Sequence, residues 1–428
     1  MGFRPPLFFV TGFFWLLLSA ALGLALFLGM LTGKPLPPVL RVLHVHGALV
    51  GGVAQMILGG LLGFIPPLLL TGRDRPESHP GLFATVNLGA VGMLAGFGLG
   101  RPLLVGAAGL LIVLSFLAVL GDAVRQARAS LVSPPLGLWF YGVALVALLL
   151  GLGMGEAMAL QFLPSTLPGQ GRLAHIHLNL LGFVTLTIIG TMHTLYPTVL
   201  NAPLFSPRLA RWTFFLLPAG IAVLIGGFLA TLVPVQIAGG AILVAGTLLY
   251  AANILQTWLR AGRPSQAASD HFLLATFFLF VAVVAGVFVS INSLWNPPAL
   301  PFGKLHLIAY THLALVGFVL QTVMGALSHL LPIALAVGRV KSNKRRGAYL
   351  AELTAQVQSW HAVQLGALNL GIIGLALVAT LVWQFNMSDL PVRITGWISA
   401  GLLGLSLTLF GSKVIRLLLT QPPGQTTD

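Results

Sequence analysis

A chain of 428 residues that is 57% hydrophobic and only 7% charged holds far too little charge for a soluble protein, in which about a quarter of the residues would be ionised. Its formal net charge of +14 sits in short loops between apolar runs, where Lys and Arg orient helices in a bilayer; no nucleic-acid partner is expected. The absence of cysteine excludes disulfides, thiolate zinc sites and cysteine-ligated iron–sulfur clusters, so a bound metal must use His, Asp, Glu, Met, Tyr or backbone oxygen.

Apolar runs of about 20 residues predict spans at 7–31, 43–70, 81–100, 102–121, 137–163, 173–198, 212–233, 236–258, 272–293, 305–335, 359–384 and 395–417. The expected fold is all-α: a polytopic membrane protein of twelve transmembrane helices forming a single domain over 1–428. The first run follows GFRPPLFFV without a small-residue cleavage site and reads as a retained helix. Basic residues favour the side of the N-terminus: Arg4, Arg73, Arg75, Arg125, Arg128, Arg208, Arg211, Arg260, Arg263, Arg339, Lys341, Lys344, Arg345, Arg346, Lys413 and Arg416, against Lys34, Arg41, Arg101, Arg172, Lys304 and Arg393 opposite. Both termini are therefore expected in the cytoplasm of a bacterial or archaeal cell, with membrane lipid as the first partner. The largest loop, VGRVKSNKRRGAYLAELTAQVQ, lies on that side and reads as a topology determinant.

One pattern recurs. HGALVGGVAQMILGGLLGFIP begins at His46, HLNLLGFVTLTIIGTMHTLYP at His177 and HLALVGFVLQTVMGALSHLLP at His312, and all three read H-x4-G-x7-G-x6-P. The copies lie four spans apart, on the second, sixth and tenth, which divides the chain into three four-helix units at about 1–121, 137–258 and 272–417. The three histidines fall at similar depth near the outer surface. The repeated glycines, eight residues apart, offer a groove either to a neighbouring helix or to a flat macrocycle.

A second histidine stands two residues earlier in two copies, His44 and His175; the third has Tyr310 there and an additional His306. Residues two apart on a helix point about 200° from one another, so one H-x-H pair serves two cofactors on opposite sides more easily than one ion. It lacks the i, i+4 spacing of zinc hydrolases. Glu156, in GLGMGEAMAL, is the one carboxylate well inside a predicted span, a candidate for proton delivery, for a bond to a metal-ligating histidine, or for a protonated link to a neighbouring helix. Asn179, Thr185, Thr187 and Thr191 give the sixth span a polar side, lining a channel or bonding to neighbours. His193 and His329 read as deeper packing residues, and His79, His271 and His361 as interfacial.

Twelve helices, three units and histidines near the outer ends of spans 2, 6 and 10 resemble subunit I of the heme–copper oxidases and the related nitric oxide reductases. In that family, helices 2 and 10 supply the axial histidines of a low-spin heme, a histidine two residues before the helix-10 ligand holds a high-spin heme, and helices 6 and 7 hold copper. His312, Gly325, His329 and Pro332 fall where the family's helix 10 has its ligand, Gly, His and Pro. Tyr310 stands at the high-spin ligand position, and span 7 has no histidine, so the family's copper pair is missing. The opening GFRP with H-x-H-x4-G-x7-G-x6-P is also similar to the NnrS family of heme- and copper-containing membrane proteins linked to nitric oxide.

The resemblance implies heme b on His46 and His312, with His44 and His306 as further heme ligands, copper on His177 and His175, and Glu156 and Tyr310 in catalysis. Bis-histidine ligation leaves iron no open position and favours electron transfer. Three functions follow as expectations. One is a respiratory redox protein that transfers electrons or reduces oxygen or nitric oxide, fed by a donor subunit, cytochrome or cupredoxin. A second is a non-catalytic heme and copper binder of the NnrS type. The third is a cofactor-free transporter, against which the four-helix period stands, since transporters usually repeat six helices twice.

Overall fold

The computed structural model describes residues 4–71, 77–164, 167–295 and 304–422; of the basic residues used for orientation, Arg73 and Arg75 lie outside them. The chain is built of α1 (Pro5–Leu31), α2 (Val39–Leu68), α3 (Pro80–Gly98), α4 (Pro102–Ala129), α5 (Leu136–Ala159), α6 (Gly169–Leu200), α7 (Pro207–Leu229), α8 (Val233–Arg260), α9 (Ala267–Asn292), α10 (His306–Arg339), α11 (Asn343–Gln358), α12 (His361–Leu381) and α13 (Leu390–Leu419). All but α11 are long and apolar enough to cross a membrane, and these twelve fall where the sequence puts them. Proline at the first or second position starts α1, α3, α4, α7, α8 and α13, where its missing N–H is no loss. Gly100, at φ +62, turns the chain from α3 to α4 in the left-handed region that favours glycine.

The units show in the packing. The central helices α2, α6 and α10 are the most enclosed, each with 56% of its most apolar stretch buried, whereas Leu18, Leu114, Leu150, Phe215 and Leu370 face outward, as lipid contact requires. Each central helix leans on the first helix of its own unit, α2 on α1, α6 on α5 and α10 on α9.

The repeated glycines make that approach possible. A Cβ at Gly51, Gly182 or Gly317 would lie 2.6 Å from Trp15, Ala147 or Phe278, and one at Gly59, Gly190 or Gly325 at 2.7, 2.5 or 2.8 Å from Phe8, Phe140 or Phe272. All six partners lie on α1, α5 and α9. Of the two uses open to the groove, helix packing is therefore the one the structure shows. Pro66, Pro197 and Pro332 fall in the last turns of the central stretches.

Two segments depart from expectation. The basic loop after α10 contains α11, whose Tyr349, Leu353 and Val357 form a buried stripe at four-residue spacing. Arg339 ties it down by donating to Tyr349 Oη (2.9 Å), Thr420 O (2.7 Å) and Leu418 O (2.8 Å). Helix α4 runs on to Ala129 because Arg125 and Gln126 donate back to the Asp122 carboxylate at 2.5 and 2.6 Å, so Arg125 and Arg128 are helical.

Candidate heme and metal centre

Each central helix changes character at the same residue. Immediately after His46, His177 and His312 it widens into an eight-residue π-helical segment, Gly47–Ala54, Leu178–Thr185 and Leu313–Leu320. Such segments are rare and cluster at functional sites. Here the widened turns carry the first repeated glycine, so the helix bulges where it meets its neighbour most closely.

Five histidines share one arrangement. Nδ1 donates to a backbone carbonyl in each: His46 to Val42 (2.9 Å), His177 to Leu173 (2.8 Å), His312 to Ile308 (2.7 Å), His44 to Ser19 (2.7 Å) and His175 to Gly151 (2.8 Å). A carbonyl oxygen only accepts, so the proton sits on Nδ1 and Nε2 keeps its lone pair, the form in which imidazole binds a metal. The rings at 46, 177 and 312 bond within their own helix. Those at 44 and 175 reach across to α1 and α5, where they lie over Gly23 and Gly155; a Cβ there would stand 2.5 and 2.8 Å from the ring Cε1. Tyr310 keeps the third place, its hydroxyl 2.9 Å from where a Cβ on Gly286 of α9 would be.

The two histidines of α2 do turn to opposite sides, but not as the helix-2 assignment expects. The ring across from His312 is that of His44, with centroids 6.5 Å apart and planes within 10°. His46 instead packs at 4.6 Å on Phe97 of α3. The ring that faces His312 is thus that of His44 rather than His46, because positions two apart cannot face one partner. The gap between the two rings suits a shared ion. An imidazole nitrogen lies about 1.1 Å from its ring centroid, and with metal–nitrogen bonds of about 2.0 Å two opposed rings would have centroids about 6.2 Å apart.

Other expected ligands do not converge. His177 packs at 4.7 Å on Phe228 of α7, and His306 accepts from Trp383 Nε1 through Nδ1 at 3.4 Å, the opposite tautomer to the five. Among the described residues no three His, Asp or Glu side chains gather as a metal cage. Glu156 lies against the Gly106 and Gly109 face of α4. No hydrogen bond links it to any of the five rings.

The polar side of α6 divides. Asn179 donates to His175 O (2.7 Å), Thr185 to Leu180 O (2.9 Å), and Thr191 pairs with Tyr141 (2.9 Å). Thr187 lines a cavity of about 90 Å³ among α1, α2, α5, α6, α9 and α10, with Tyr141, Met192 and Phe272. His193 is buried between Phe140 and Tyr250, as a packing residue should be.

Several polar residues escaped notice in the sequence. His271, expected at the interface, is buried and bonded at 3.1 Å to Gln364, whose Oε1 accepts a hydrogen bond from the buried Lys413 Nζ at 3.2 Å. A lysine read as a topology marker is thus part of a network across α9, α12 and α13. Gln55 and Gln321, fully buried, both stand nine residues after a repeated histidine; extending the repeat pattern by that one position would have found them.

Comparison with known proteins bears on the fold. Residues 135–300 match the family model of cytochrome c and quinol oxidase polypeptide I, a stretch that includes Glu156, His175 and His177 but neither member of the His44–His312 pair. The chain superposes on a heme–copper terminal oxidase solved as a dimer by cryo-electron microscopy, with a TM-score of 0.70 at 11% identity, covering 99% of this chain and 85% of that one. The fold is that of heme–copper oxidase subunit I from end to end. No curated protein matches in sequence.

Proposed function

We propose that this integral membrane protein holds a b-type heme between His44 of α2 and His312 of α10 and serves in electron transfer within the membrane. The observation that carries the reading is the near-parallel facing of these two rings at 6.5 Å, both fixed by carbonyls in the metal-binding tautomer. The residues around them do the positioning. Ser19 holds His44 twice, accepting from Nδ1 through its carbonyl and donating its hydroxyl to His44 O. Gly23 leaves room for the ring, and the fourth carbonyl back along α10 steers His312. A heme ligated on both faces supplies one-electron transfer and leaves no iron position open to oxygen or nitric oxide.

A non-catalytic role of the NnrS kind is the second reading, favoured by Tyr310 at the high-spin ligand position and by the absence of a three-ligand cluster among the described residues. An electron donor, either a further subunit or a soluble cytochrome or cupredoxin, belongs to the first reading. The deciding experiment is a reduced-minus-oxidised spectrum of the detergent-purified protein beside His44→Ala and His312→Ala. A b-type spectrum lost in both supports the shared site; a spectrum intact in either refutes it. Turnover with a reduced donor and oxygen or nitric oxide separates the respiratory reading from the non-catalytic one.

A further inference from the structure

We infer that the chain holds a second b-type heme between His46 of α2 and His175 of α6, at the boundary of the first and second units; this rests on the proposed His44–His312 site. At the boundary of the third and first units the repeated histidine of one, His312, faces the residue two before the repeated histidine of the next, His44. Carried round the repeat, the same arrangement pairs His46 with His175 at the boundary of the first and second units and His177 with Tyr310 at that of the second and third.

The parallel holds in detail. His175 repeats His44: Nδ1 donates to the first helix of its own unit, at 2.8 and 2.7 Å, and the ring lies over a glycine four residues further along that helix, Gly155 or Gly23. His46 repeats His312, with Nδ1 on the carbonyl four residues back at 2.9 and 2.7 Å. All four Nε2 lone pairs are therefore left for a ligand.

A packing role for His46 would rest on its contact with Phe97 at 4.6 Å and 48°. His177 makes the same contact with Phe228, at 4.7 Å and 48°. The phenylalanine thus recurs at the same spacing in the first two units, with Val363 in its place in the third, and a ring contact of this kind leaves Nε2 its lone pair. Two opposed imidazoles with no third donor suit heme iron, whose four remaining ligands come from the macrocycle; a bare copper ion would need more from the protein. The H-x-H of α2 then has a reason for its spacing: one histidine serves each side of the helix.

The test is heme content per chain, by pyridine hemochromogen assay on the full-length protein in detergent, with electron paramagnetic resonance of the oxidised form. Two hemes per chain and two low-spin signals are expected. His46→Ala and His175→Ala should each leave one heme and abolish the same signal, while the signal sensitive to His44→Ala and His312→Ala persists. Added imidazole should restore the lost signal in His175→Gly, which a purely structural defect would not allow. One heme per chain, indifferent to His46→Ala and His175→Ala, overturns the inference and leaves the His44–His312 site standing. Copper in place of heme, dependent on both residues, also overturns it. A wild type without heme removes both sites.

Discussion

Gly23→Ala is the smallest change that should undo the proposed His44–His312 site. The added methyl would stand 2.5 Å from His44 Cε1 and 3.0 Å from each ring nitrogen, where carbon contacts are comfortable at about 3.5–4 Å. The ring must retreat by about 1 Å. Its 2.7 Å bond to Ser19 O would then exceed the usual limit of about 3.2 Å, and a metal–nitrogen bond of about 2.0 Å has no such slack. Against this, alanine in a helix is about 1 kcal/mol more favourable than glycine, while overpacking costs about 1–3 kcal/mol. The net effect on folding is small, and the loss falls on ligation. The low-spin spectrum should vanish or change to a five-coordinate form while thermal unfolding in detergent moves by only a few degrees. Gly404→Ala on α13, whose nearest neighbour is Leu24 Cδ2 at 4.0 Å, is the control with the same helix gain and no clash. A wild-type low-spin spectrum in Gly23→Ala would refute the assignment of His44.

Three further expectations follow from the packing. Gly190→Ala places a Cβ 2.5 Å from Phe140 Cβ and 3.3 Å from Gly137 O; a cost of about 1–3 kcal/mol should lower the unfolding midpoint, whereas Gly153→Ala, with no neighbour in reach, should not. Arg339→Ala removes three hydrogen bonds that join α11 to the end of α13, each worth about 1.5–3 kcal/mol for a charged donor before solvent screening. Limited proteolysis should then cut beyond Leu419 sooner than in the wild type, and an unchanged cleavage rate would show that the tie is idle. Tyr310→His should place an imidazole over Gly286, across from His177, and add a low-spin signal; a folded variant with unaltered heme content would show that this third boundary is closed to heme.

The spans were legible because a bilayer dictates their length and permits only closed hydrogen bonding, and the repeat because its histidine, glycines and proline recur at fixed spacing. The pairing of His44 with His312 was not legible. The H-x-H spacing says that two sides are served, but which histidine faces α10 depends on how α2 is rotated against its neighbours. The π segments have no composition of their own and arise where a glycine lets two backbones meet. Helix α11 was visible in principle, since Tyr349, Leu353 and Val357 recur every four residues, but its run of Lys and Arg read as loop. Lys413 was misplaced for a simpler reason: position near a span end cannot reveal that Gln364 waits for it inside the bundle.

The three boundaries separate what the scaffold requires from what a ligand requires. Widened turns, glycine contacts and the inward-bonded Nδ1 occur in all three units, including the third, in which Tyr310 stands in place of the earlier histidine. Features kept where no histidine pair exists cannot be there for ligation alone; they hold each central helix against the first helix of its unit. What varies is the residue two before the repeated histidine: histidine, histidine, tyrosine. One side chain per boundary therefore decides whether two imidazoles meet. On this reasoning Tyr310 leaves the boundary between the second and third units without a second imidazole, while the boundary between the first and second has the same pair of residue types as the proposed heme site.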